Sequence, residues 1–197
     1  MATSLELIDR DIRSLNISCS GLWEMVNSQG DFPSAIPILI NWLERIADQA
    51  PVQYYANITE GLVRALAMPS AVDIVNTRLI FLFQNVYDPG NFGLRWTIGN
   101  TLSLIYSENF FDDYVSLIEQ KEFGIARQML VEGLSKSSNP MLIEKLYSYL
   151  TDDDLSLITV KVLGKLKPPD LVQHLEPLLG DAKNPLKKSI VRTIRSL

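Results

Sequence analysis

Apolar residues recur along this chain at intervals of three and four, as in Ile36, Leu39, Ile40 and Leu43, while the strict alternation of a half-buried strand is hard to find. That spacing puts side chains on one stripe of an α-helix, which turns once in about 3.6 residues. Breakers divide the helical stretches: GDFP ahead of Ile36, DQAP at 48–51, MPS at 68–70, DPGN at 88–91, SSNP at 137–140, KPPD at 167–170 and KNP at 183–185. Each combines proline, glycine or a capping polar residue, so about ten helices are predicted with no long linker between them.

Five stretches between these breakers align with one another: ITEGLVRAL from Ile58, LRWTIGNTL from Leu94, ARQMLVEGL from Ala126, LSLITVKVL from Leu155 and LKKSIVRTI from Leu186. They recur every ~30–36 residues, the period of a two-helix repeat. Counting from the first residue, positions 0, 4 and 8 are Ile58, Leu62 and Leu66; Leu94, Ile98 and Leu102; Ala126, Leu130 and Leu134; Leu155, Thr159 and Leu163; Leu186, Ile190 and Ile194. Thr159 is the single polar member. One helix pair cannot bury such a stripe, so neighbouring pairs must stack to close a continuous core.

The pattern resembles the HEAT-repeat family, including the HEAT-like repeats of phycobilisome lyases, over about residues 35–197. The likeness is clearest in GIARQMLVEGLSK, in LITVKVLGKLKPPDLVQHLEPLLGD and in the terminal LKKSIVRTIRSL. The resemblance implies an all-α fold, a right-handed α-α superhelix (HEAT-like solenoid) of about five helix pairs. It also implies that an acidic residue in each turn pairs with a basic residue one place after the first core position. Asp88 would then face Arg95, Glu119 or Glu122 would face Arg127, and Asp181 would face Lys187, with the series interrupted at Thr59 and Ser156. Surface pairs of this kind stabilise by ~0–1 kcal/mol. Residues 1–34 do not fit the repeat but carry Leu5, Ile8, Ile12, Leu15, Leu22, Trp23, Met25 and Val26. They are expected to form an N-terminal helical cap on an array over 35–197, the whole making a single domain.

Composition narrows the function classes. A net charge of −5 argues against a dominant phosphate-binding face, because non-specific nucleic-acid affinity comes from lysine and arginine displacing counterions. The single cysteine, Cys19, cannot form an intramolecular disulfide, which points to a reducing, cytoplasmic setting. Charged residues interrupt the N-terminal stretch, and no segment has the length of a membrane span.

Enzyme chemistry finds little to stand on. One histidine, His174, rules out a His-rich zinc site or an H-E-x-x-H helix, and fits a helix surface or turn end. Asp152, Asp153 and Asp154 precede a predicted helix, as do Asp112 and Asp113, where capping and the helix dipole account for them. Gly90, Gly93 and Gly99 lack the strand and lysine of a phosphate loop, and Cys19 has no nearby histidine to activate it. No cofactor, metal ligand or catalytic residue is expected.

A binding surface is easier to motivate. In a stacked array the second helices lie side by side, so equal offsets form ladders across the concave face. Two places after the first core position stand Glu60, Trp96, Gln128, Leu157 and Lys188; six places after stand Arg64, Asn100, Glu132, Lys161 and Arg192. Mixed charge around a tryptophan suits protein recognition. Trp96 either packs under a neighbouring turn or waits for a partner as its anchor. The expected function is a non-catalytic protein-binding scaffold or adaptor, in a more pointed form an immunity protein that neutralises a basic toxin. The alternatives are a HEAT-like enzyme or chaperone, of the bilin-lyase or DNA-repair kind, and nucleic-acid binding through the basic C-terminal helix. Neither the partner nor the oligomeric state can be read from these residues.

Overall fold

The computed structural model describes residues 3–28, 30–49, 56–86, 93–180 and 183–197, and among them the chain forms twelve α-helices and no strand. It divides into two compact units, Met1–Ser107 and Glu108–Leu197, a boundary that falls inside the array expected over 35–197.

In the first unit, α1 (Ser4–Arg13) opens on a capping box. Thr3 accepts from the Glu6 amide while the Glu6 carboxylate accepts from the Thr3 amide. Ile8 and Ile12, one turn apart, are its buried face. The Asp9 carboxylate accepts from the Leu22 amide at 2.8 Å, capping α2 (Leu22–Asn27) from thirteen residues away. Gly21 permits this approach, since a Cβ there would stand 2.7 Å from Asp9 Oδ1. The rest of the unit is α3 (Ile36–Gln49), α4 (Ala56–Ala65), α5 (Asn76–Asn85) and α6 (Gly93–Leu104). Helix α3 packs on α4 and α5 on α6, while α2, α4 and α6 lie in succession with α4 between the other two. Residues 1–34, expected as a cap, thus end in a helix of the same row. Buried Asn76 donates to the Ile105 carbonyl at 3.1 Å, tying the start of α5 to the end of α6. The Thr101 hydroxyl donates to the Val63 carbonyl at 3.2 Å, tying α6 to α4.

The second unit repeats the arrangement with α7 (Phe111–Glu119), α8 (Gln128–Leu134), α9 (Leu142–Ser148), α10 (Ser156–Leu166), α11 (Leu171–Leu175) and α12 (Asn184–Arg195). The pairs α7–α8, α9–α10 and α11–α12 pack together, and α8, α10 and α12 follow one another as neighbours. Helix α10 ends where Lys167 turns left-handed (φ 50°) ahead of two prolines that cannot continue it.

The apolar stripe sits where its spacing predicts. All five residues at position 4, namely Leu62, Ile98, Leu130, Thr159 and Ile190, have 0% exposure. At position 8, Leu66, Leu102, Leu134 and Leu163 are buried and Ile194 half-buried. Position 0 is looser: Ala126 and Leu155 are buried, but Ile58, Leu94 and Leu186 are half-buried. In α4 the buried face is rotated, with Thr59 rather than Ile58 pointing inward. The hydroxyls of Thr59 and Thr159 find no hydrogen-bond partner among the described residues.

The arginines that follow the first core position are buried, which corrects the expectation of surface pairs. Arg95, 8% exposed, donates through Nε to the Phe83 carbonyl (2.8 Å) and through Nη2 to the Val86 carbonyl (2.6 Å), at the end of α5. Arg127, 2% exposed, donates to the Ile118 carbonyl at the end of α7 (2.9 Å) and to the Gly124 carbonyl (3.0 Å). Both reach a carbonyl nine residues back, so one device recurs in the two units: a guanidinium satisfying the orphan carbonyls of the preceding helix. The carboxylate partner of Arg127 is also corrected. It is neither Glu119, which pairs with Lys145 at 2.8 Å, nor Glu122, but Asp152 in a two-pronged clasp (3.0 and 3.1 Å) together with Asp154 (3.2 Å). Asp88 and Asp181, and with them the DQAP and DPGN breakers for the most part, lie outside the described residues.

Candidate functional site

None of the ten ladder residues is buried. Their positions follow from the register: once positions 0, 4 and 8 face the core, positions 2 and 6 fall on another side of the same helix.

In the first unit the four ladder residues stand on two neighbouring helices, Glu60 and Arg64 on α4, Trp96 and Asn100 on α6. Arg64 and Glu60, one turn apart, form an ion pair at 3.5 Å with both side chains well exposed. Trp96 is 39% exposed, so the indole is neither core nor free of the surface. A second tryptophan, not picked out from the repeat, reaches α4 from its other flank. Trp23 of α2 is 37% exposed, and its ring lies about 3.3 Å from where a Cβ on Gly61 would stand. Gly61 therefore leaves room for the edge of the indole against α4.

In the second unit, Gln128 donates to the Asp154 carbonyl at 2.7 Å, which fixes the start of α8 to the turn ahead of α10. Glu132 pairs with Lys165, a residue outside both ladder rows. Leu157, Lys161, Lys188 and Arg192 all line one groove of about 580 Å³ between α10 and α12. Lys161, Lys188 and Arg192 are exposed and have no ion pair among the described residues. Four of the ten predicted residues thus share a cleft, and Lys165 joins them.

Other polar clusters serve the fold. Asp152 accepts from the amides of Asp154 and Leu155 (2.9 and 3.2 Å) in the turn ahead of α10 and adds the Arg127 clasp. The helix itself starts on Leu155 without a side-chain cap or an acidic residue in its first turn, which corrects the capping role expected of the acidic run. Burial pushes the Asp152 carboxyl up, but the Arg127 guanidinium and the two amides outweigh it and hold it below its ordinary value. His174 lies on the surface, its ring stacked on Tyr147 (3.7 Å between centroids) and its Nε2 3.4 Å from Asp170. The Tyr147 hydroxyl donates to Asp170 at 2.6 Å. Burial and then this carboxylate raise the phenol, while the Tyr147 hydroxyl is the main cause of a lowered Asp170. The cluster joins α9 to the start of α11. Cys19 is buried, its thiol donating to the Gly21 carbonyl. Among the described residues no group of three or more His, Cys, Asp and Glu could hold a metal ion, and no helix is long and apolar enough to cross a membrane.

No protein-family model matches the chain, no curated protein matches it, and no solved structure matches its fold.

Proposed function

We propose that the chain is a non-catalytic, cytoplasmic protein-binding scaffold of HEAT type, its helix pairs stacked as a right-handed α-α superhelix and its second helices presenting the contact face. The observation that carries this reading is Trp96. A large aromatic side chain held 39% exposed forgoes part of the ~1.5–3 kcal/mol that full burial gives. It stands on a helix packed beside the Glu60–Arg64 pair, a polar rim of the kind that surrounds interface anchors. Inhibition of a basic toxin is one form this function takes.

The test uses the whole chain as bait in native lysate, comparing wild type with Trp96→Ala and Arg64→Glu. Proteins retained by wild type and lost by both variants support the α4–α6 face, provided that Phe81→Ala, an exposed aromatic on α5, retains them. Unchanged capture by Trp96→Ala removes the anchor.

A further inference from the structure

The charge of this chain is unevenly placed. Residues 156–197 hold eight Lys and Arg against three Asp and Glu, whereas residues 1–155 hold ten against twenty. The basic surplus converges on the groove between α10 and α12, where Lys161 and Lys165 line one rim and Lys188 and Arg192 the other. Among the described residues no acidic side chain lines it. Its floor is low because Gly164 meets Thr193 directly: a Cβ on Gly164 would come within 3.0 Å of the Thr193 methyl. Leu157 adds apolar surface to the lining.

We infer that this groove binds an acidic, extended segment of a partner protein, an inference that rests on reading the chain as a protein-binding scaffold. The spacing carries the commitment. Each rim presents two cations four residues apart on a helix, about 6 Å along the axis. Alternate residues of an extended chain are separated by ~6.6 Å, so two successive carboxylates match Lys188 and Arg192 on one rim while Lys161 stands free on the other. The rim already accepts a carboxylate, since Glu132 reaches Lys165 from α8. The groove volume of about 580 Å³ lies within the ~300–1,000 Å³ of sites that enclose a compact ligand, room for a few residues rather than a duplex. Three unpaired cations also fall short of the ~6–10 phosphate contacts of DNA-binding proteins.

The experiment is fluorescence polarisation with a fluorescein-labelled peptide, Glu-Leu-Glu-Ser-Glu-Leu-Glu-Ser, at low and high salt. A peptide with Lys for each Glu and a ten-nucleotide oligothymidylate serve as comparisons. Saturable binding of the acidic peptide that weakens at least tenfold in Lys161→Glu/Lys188→Glu, and no more than twofold in the charge-matched Arg10→Glu/Lys121→Glu, is the expected result. The double glutamine variant Lys161→Gln/Lys188→Gln should show an intermediate loss. Absence of peptide binding, equal binding by both reversal variants, or equal affinity for the oligothymidylate overturns the inference, the last in favour of nucleic acid. Trp96→Ala separates the two readings. Peptide binding that depends on the groove, with lysate capture indifferent to Trp96, upholds the groove and removes the α6 anchor. Capture lost in Trp96→Ala without any peptide binding overturns the groove and leaves the scaffold standing.

Discussion

Arg127 is the side chain whose loss the second unit should feel most. Its five N–H groups are all engaged, by the carbonyls of Ile118 and Gly124 and by the carboxylates of Asp152 and Asp154, and the side chain is 2% exposed. Arg127→Met keeps most of the stem but strands two carbonyls and the Asp152 carboxylate. Removing one partner of a buried pair costs about 3–5 kcal/mol. Asp152 is 14% and Asp154 40% exposed, so both carboxylates recover some hydration, which puts the expected cost near the lower bound, about 3 kcal/mol. At roughly 2–4 °C per kcal/mol for a chain of this size, the melting temperature should fall by about 6–12 °C. Thermal and urea unfolding, followed by circular dichroism, measure both quantities. Arg127→Lys should recover only part, since an ammonium cannot span the Asp152 clasp and the two carbonyls together. A fall of less than ~2 °C in Arg127→Met would refute the reasoning and return Arg127 to the ~0–1 kcal/mol of a surface pair.

The same clasp sets a pH dependence. Because the folded Asp152 carboxyl lies below its ordinary value of 3.8, its contribution is complete above about pH 4 and is lost as pH falls through the lower folded value. Asp152→Asn should therefore lower the urea midpoint at pH 7 and flatten its decline below pH 4. Thr159→Val removes a fully buried hydroxyl that has no partner among the described residues and keeps the shape, so the unfolding free energy should rise by ~1 kcal/mol in calorimetry. Ile190→Asp places a charge at a position of 0% exposure on α12, and amide exchange along that helix should accelerate more than in α8; unchanged exchange would mean that the inward face of α12 is misassigned.

The helical periodicity was legible because it is local. Position 4 of every repeat is fully buried, and that needs only a 3.6-residue turn to foresee. What lay beyond local spacing was missed. The nine-residue reach from Arg95 and Arg127 to a helix end depends on how deeply the pair packs, and the spacing of one arginine does not reveal depth. Asp152 finds Arg127 across 25 residues, so the nearer Glu119 and Glu122 looked the better partners. Trp23 sits on a six-residue helix, too short to show a periodic stripe, and only its seat on Gly61 discloses its place. Lys165 belongs to the groove because it lies one turn beyond Lys161, past the last residue of either ladder row.

The buried arginines and the groove cations divide the positive charge of the chain by role, and the division has a measurable consequence. Arg95 and Arg127 hold helix ends, whereas the groove places like charges one turn apart, Lys161 with Lys165 and Lys188 with Arg192. Each such pair on a helix destabilises by ~0.2–0.5 kcal/mol, and a glutamate placed N-terminal to the basic residue reverses the sign by a similar amount. Lys161→Glu/Lys188→Glu creates two favourable pairs of that orientation. Glu132 already relieves Lys165, so the net gain should be ~1 kcal/mol, a rise of about 2–4 °C in melting temperature. The variant that weakens peptide binding should therefore be the more stable protein, the expected signature of a surface kept for a ligand rather than for the fold. A loss of stability in this variant would mean that the four cations support the packing of α10 on α12, and the groove would then be a structural seam.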